Sequence, residues 1–129
     1  MSEPSYALQV AIVRELDNKT AAGPAVFDKV TPGIFPRISI GSGQVLPDDV
    51  DCVDGFDVYF QIDCWSDEEN YKEVKLIAGE VWQLLHKKDV PVSGFNLIDL
   101  RIESTDFSRD DVQGVNRARM AVKAYMEAL

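Results

Sequence analysis

The segment from Phe56 to Ser66 alternates without a break. Phe56, Val58, Phe60, Ile62 and Cys64 fall on one side, and Asp57, Tyr59, Gln61, Asp63 and Trp65 on the other. Successive side chains of an extended strand point to opposite faces, so the pattern predicts a strand with one buried face and one wetter face. The sheet that contains it needs cover on one side only.

Two amphipathic segments supply that cover. Residues 5–17 place Leu8, Ile12 and Leu16 at four-residue spacing with Ala11 beside them, and Ser5 or Ser2 is the predicted N-cap. Residues 68–87 carry a second stripe of Tyr71, Val74, Ala78, Val81 and Leu85, widened by Ile77, Trp82 and Leu84. Ser66 or Asp67 is the predicted cap of this helix. Glu68 and Glu69 suit the positive end of its dipole, and His86, Lys87 and Lys88 the negative end.

The remaining segments read as strands and turns. Residues 25–30 form a short strand, and Pro32, Gly33 and Pro36 mark a turn. Residues 37–42 put Ile38 and Ile40 on one face, with Gly41 able to bend the strand. Residues 46–55 read as a loop. Residues 95–104 place Ile98, Leu100 and Ile102 inward and Asp99, Arg101 and Glu103 outward. After a turn at 110–114, residues 115–129 place Ala118, Met120, Val122, Ala124 and Met126 inward, and Arg117, Arg119, Lys123 and Tyr125 outward. The order is α-β-β-β-α-β-β. The expected fold is α+β, a mostly antiparallel four- to five-stranded sheet with two helices on one face, in one domain spanning residues 1–129. Its other face carries Tyr59, Trp65 and Tyr125 among charges, which suits either a self-association surface or an ordinary exposed sheet face.

Charge is distributed very unevenly. Of 22 acids against 13 bases, nine acids and no Lys or Arg lie between residues 48 and 69, and the rest of the chain is neutral. The whole net charge of −9 therefore sits in one stretch. It is either a solvated acidic face or a surface that repels DNA or meets a basic partner. The balance argues against tight binding to a nucleic-acid backbone, which requires Lys and Arg to displace counterions. No run approaches the ~18 apolar residues of a membrane span, so no membrane partner is expected. Met1-Ser2-Glu3-Pro4 has neither the basic nor the apolar region of a signal peptide. With Cys52 and Cys64 the only cysteines, the chain reads as intracellular with reduced thiols, one in a loop and one in a strand.

The residues offer little for catalysis. His86, the single histidine, ends a helix and is expected to face solvent or the helix dipole. Cys52 and Cys64 match no zinc spacing and lack two further ligands, and Cys64 reads as a small core residue. An EF-hand read from Asp49 fails where Val53, Asp54 and Phe60 stand. Gly41-Ser42-Gly43 is too short for a phosphate loop, and no G-x-S-x-G occurs. No catalytic, cofactor-binding or metal-binding residue is expected, nor any cofactor.

One ordered set of segments is recognisable. It runs from Ala7-Leu8-Gln9, Ile12 and Leu16 through Val26-Phe27-Asp28 and Pro32 to Phe35-Pro36-Arg37-Ile38-Ser39-Ile40-Gly41. It continues with Asp51-Cys52, Asp54-Gly55, the strand ending in Trp65-Ser66 and the helix around Ile77-Ala78. It closes with Leu100-Arg101-Ile102-Glu103-Ser104 and Arg117-Ala118-Arg119-Met120 … Val122-Lys123-Ala124-Tyr125. Over residues 5–128 the chain resembles the tail-completion, or tail-terminator, proteins of long-tailed bacteriophages and gene transfer agents. It departs from them in the acid density of 48–69 and in the run Ser108 to Gly114, where a plain Asp-Gly turn is commoner. The resemblance implies a structural virion protein at the neck end of the tail, present in the host cytoplasm during assembly. It implies a ring, commonly of six copies, that ends tube polymerisation and joins the tail to the head. The implied partners are further copies of itself, the tail tube protein, the head–tail connector, and double-stranded DNA that passes through without specific binding.

Two sets of residues are candidates for such contacts. Asp48, Asp49, Asp51 and Asp54 form a candidate surface facing the bore or a partner. Asp57, Tyr59, Asp63, Trp65, Arg117, Arg119, Lys123 and Tyr125 form a candidate subunit interface. Within it, Arg117, Arg119 and Lys123 pair with a neighbour's Asp57, Asp63 or Glu69, or within their own sheet, or with water. The alternative function is a small acidic binding or inhibitor protein whose carboxylates imitate DNA phosphates.

Overall fold

A computed structural model describes residues 3–27, 33–49 and 52–129. The elements are α1 (Ser5–Leu16), β1 (Val26–Phe27), β2 (Arg37–Pro47), β3 (Gly55–Ser66), α2 (Lys72–Leu85), β4 (Phe95–Asp110) and β5 (Val115–Ala128). The expected α+β order stands. The five strands lie in one sheet in the order β1-β2-β3-β5-β4. β1 runs parallel to β2, and every other pairing is antiparallel. The chain leaves β3, crosses through α2 to the far edge as β4, and turns back as β5 into the gap. The expected strand over 25–30 is seen at Val26–Phe27, and residues 28–30 lie outside the described residues.

Both helices pack on one sheet face and to each other. The core forms where their stripes meet the inward residues of the strands. α1 buries Leu8, Ala11, Ile12 and Leu16, and α2 buries Val74, Ile77, Ala78, Val81 and Leu85. Opposite them lie Ile62 and Cys64 of β3 and Ala118, Met120, Val122, Ala124 and Met126 of β5, each at most 1% exposed. Burial pushes the Cys64 thiol up to about 12, aided by the adjacent Asp63 carboxylate. Cys64 is therefore an inert core thiol, while Cys52 is exposed in the loop before β3.

Several expectations are corrected, each for a local reason. β4 was expected to turn Ile98 inward, but Ile98 is 57% exposed. Register shifts at Leu97/Asp99 and Ile102/Ser104 each insert a residue, and the first moves Leu97 to the core side. The segment 46–55 is only partly a loop. A bulge between Gly41 and Gly43 lets β2 bend and follow β3 as far as Pro47.

α2 starts at Lys72 rather than 68, because neither Ser66 nor Asp67 caps it. The Ser66 hydroxyl is buried at the end of β3, where it donates to Glu73 Oε1 (2.7 Å) and accepts the Glu68 N–H (3.2 Å). Asn70 Oδ1 accepts the Lys72 N–H instead (3.1 Å). Tyr71 and Trp82 lie outside the core stripe, 38% and 46% exposed. Ser5 likewise does not cap α1 but lies in its first turn, and Ser2 lies outside the described residues. Pro4 holds the cap position, and the Glu3 carboxylate accepts from both the N–H and the hydroxyl of Ser5.

His86 is half-buried rather than free at the helix end. Its ring stacks on Trp82 at 4.6 Å, and Nδ1 accepts the Ile102 N–H at 3.0 Å. With the Lys87 N–H donating to the Leu100 carbonyl (2.7 Å), it ties the end of α2 to β4.

Truncating the centre of this core should be costly. Met120→Ala should lose about 2–5 kcal/mol of stability, read as a lower urea midpoint at unchanged slope. Gly79 has the opposite expectation. It sits exposed in the middle of α2 with open space where a Cβ would stand. Gly79→Ala should therefore stabilise the fold by about 0.5–1 kcal/mol, measured the same way.

Candidate assembly face

The sheet face turned away from the helices collects the candidate interface residues in register. Asp57 lies opposite Tyr125, Tyr59 opposite Lys123, Asp63 opposite Arg119 and Trp65 opposite Arg117. The eight residues thus form four cross-strand pairs along β3 and β5. This follows from the unbroken alternation of both strands, since residues paired across an antiparallel ladder share a face.

At the end of β3 the face is held by stacked cations and rings. The Arg37 guanidinium lies 4.6 Å from the Phe35 ring centre and 4.9 Å from that of Trp65, and Arg117 stands 5.0 Å from Trp65. The Trp65 indole N–H donates to Ser39 Oγ (3.0 Å). Arg37 is 3% exposed and donates to the Ile34 carbonyl (3.0 Å), but its Nε has no partner among the described residues. Burial lowers its pKa, because the charged form loses hydration. Arg37 escaped the sequence reading. Its alternation with Ile38 places it on this face, but only the β2–β3 register puts it beside Trp65.

Arg117 is already paired within the chain. Its Nε donates to Asp63 Oδ1 at 3.0 Å, and Gln61 Nε2 donates to both oxygens of the same carboxylate (3.1 and 2.9 Å). Asp63 is therefore engaged inside its own sheet and is not offered to a neighbour. Glu69 is exposed in the segment before α2 and is not on the sheet. Arg119 is exposed and has no ion pair among the described residues. The Lys123 ammonium lies 5.5 Å from the Tyr59 ring centre, and its pKa is raised, first by the Tyr59 hydroxyl and then by Asp57 and Glu103.

The opposite end of the face is acidic. Asp48, Asp49 and Asp54 are exposed around the start of β3, while Asp51 lies outside the described residues. Asp49 Oδ1 accepts the Gly55 N–H (3.2 Å), and the Gly55 carbonyl accepts the Asp48 N–H (2.8 Å). A Cβ at Gly55 would lie within 2.5 Å of the Tyr125 hydroxyl and nearer still to the Asp48 carbonyl, so only glycine fits there. The Tyr125 hydroxyl donates to Glu127 Oε2 (3.2 Å) and approaches the Asp48 carbonyl (3.4 Å). Its pKa is raised, by burial first and then by Glu127, Asp48 and Asp57. Asp57 titrates above its ordinary range because of burial and the facing Asp48 carboxylate.

The face thus combines aromatic rings with paired and unpaired charges. Among the described residues no three His, Cys, Asp or Glu side chains gather as a metal site, and no helix is long and apolar enough to cross a membrane. Comparison with known proteins gives the class, a structural component of a tailed virus particle. The chain belongs to the family of tail completion protein gp17, whose model matches residues 10–127. It is thus a structural protein of the virion tail and not an enzyme. Its fold is similar to that of a chain in a structure described as the virion of a native gene transfer agent particle. The TM-score is 0.86 at 23% identity, covering 99% of this chain and 100% of that one. No curated protein matches the sequence.

The raised Asp57 pKa has a stability consequence. A carboxyl group whose folded pKa lies above its unfolded value favours the fold most when protonated, and that contribution is lost as pH rises through the folded pKa. Asp57→Asn should therefore raise the melting temperature at neutral pH. The gain should vanish at about pH 3, below the ordinary aspartate range. Melting curves of both chains at the two pH values check this.

Proposed function

We propose that the chain assembles into a ring, of six copies as the family resemblance implies, at the head-proximal end of the tail. There it ends polymerisation of the tube and presents a surface to the head connector, while DNA passes through the bore without specific contacts. The observation that carries this reading is the sheet face left bare by both helices, along which Tyr59, Lys123, Arg119 and Trp65 are spread. A ring needs a contact that repeats by rotation, and a broad face on a rigid sheet can supply one side of it.

The DNA-mimic alternative loses its main support. The acids of 48–69 do not share one face: Asp48, Asp49, Asp54 and Asp57 mark one end of the sheet, Asp63 is bound to Arg117, and Asp67, Glu68 and Glu69 lead into α2. Glu68 is further pushed above its usual range by the neighbouring Glu73.

The test has two parts. Light scattering across concentration at moderate salt measures the mass of the free protein. Adding the chain to polymerising tail tube protein, with lengths read by electron microscopy, measures termination. Growth should stop, with several copies at one tube end. Tubes that lengthen as they do without the chain would overturn the reading.

A further inference from the structure

Charge is sorted along the bare sheet face. From the Trp65 end to the Tyr59–Lys123 pair, the described residues carry five cations, Arg37, Arg101, Arg117, Arg119 and Lys123, against three acids, Asp63, Asp106 and Glu103, the last at the β4 bulge beside Lys123. Beyond that pair lie Asp57, Asp99 and Glu127 on the strands and Asp48, Asp49 and Asp54 at their ends, with no cation among them. A chain of net charge −9 thus keeps this part of the sheet face in slight cationic excess and sets a block of acid at its end. The buried Arg37, with no carboxylate partner among the described residues, adds to the positive part.

We infer that, in the assembly, the acidic end of one copy, Asp48, Asp54 and their neighbours, seats against the Arg119–Lys123 part of the next copy's sheet face, head to tail. This rests on the ring proposed above and names its contact. Charge complementarity favours a second copy over nucleic acid as the occupant. Asp63 and Asp99 hold Arg117 and Arg101 along the sheet (3.0 and 2.9 Å), and the adjoining acid repels a phosphate backbone. Aromatic residues lie between the cations, as in contacts between proteins. Two unlike patches on one chain make a heterologous contact, the kind that closes a ring. Arg119 and Asp54 are the sensitive positions, because each is exposed and neither is engaged in an ion pair among the described residues.

Charge reversal with rescue tests the pairing. One variant carries Arg119→Glu with Lys123→Glu, a second carries Asp48→Lys with Asp54→Lys, and a third carries all four. Melting temperatures establish that each folds. Association is measured by sedimentation across concentration and by copies retained on tail-tube ends. Each double variant should associate at least about tenfold more weakly, and the four-substitution chain should recover most of that loss. Rising salt should weaken the wild-type association.

Double variants that associate like the wild type would overturn the pairing and leave the ring standing. So would a four-substitution chain as weak as its parents. Association that saturates at two copies would replace the head-to-tail contact with a face-to-face pair. An acid-end variant that associates normally but alters DNA delivery would place those acids against DNA instead. Only a wild-type chain that associates neither free nor on tube ends would remove the ring itself.

Discussion

The ladder between β3 and β5 is the constraint on which the rest of the molecule depends. It pairs Gly55 to Ser66 with Glu127 back to Asn116, strands about sixty residues apart in sequence, at the centre of the sheet. One parity of this ladder supplies Ile62, Cys64, Ala118, Met120 and Val122 to the core. The other parity supplies Asp57, Tyr59, Trp65, Arg117, Arg119 and Lys123 to the bare face. A slip of one residue would exchange the two sets and bury charge, so the core fixes the register of the bare face as firmly as it fixes its own. The Arg117–Asp63 ion pair and the Trp65 stack lock the same alignment from outside.

What was legible in the sequence follows from that regularity. Phe56–Ser66 and Val115–Ala128 alternate cleanly, so their faces could be read residue by residue, including all eight candidate interface positions. β4 could not, because its two bulges break the alternation and nothing around Ile98 signals an extra residue. Helix starts were misread where a side chain had a stronger partner than the helix. Ser66 is a good cap by type, but its hydroxyl serves Glu73 and Glu68 across the end of the sheet. The acid stretch was legible as a run, but the fold divides it. Its halves separate because β3 spans the sheet between Asp54 and Asp67.

The division of charge also bears on how such a face behaves before assembly. Asp63 and Asp99 each hold an arginine within the sheet, which lowers the tendency of the positive part to attract phosphates or stray acidic chains. Exposed ion pairs contribute only about 0–1 kcal/mol each, and salt screens them. A single contact between two copies built from such pairs is therefore weak. On the proposed reading each copy meets two neighbours and the last contact closes within an already assembled ring, so weak contacts become strong only in combination. A tube end that holds copies close together supplies that condition, whereas dilute free protein does not. A monomer in solution and a stable ring on a finished tail are then two results of one interface, separated by local concentration.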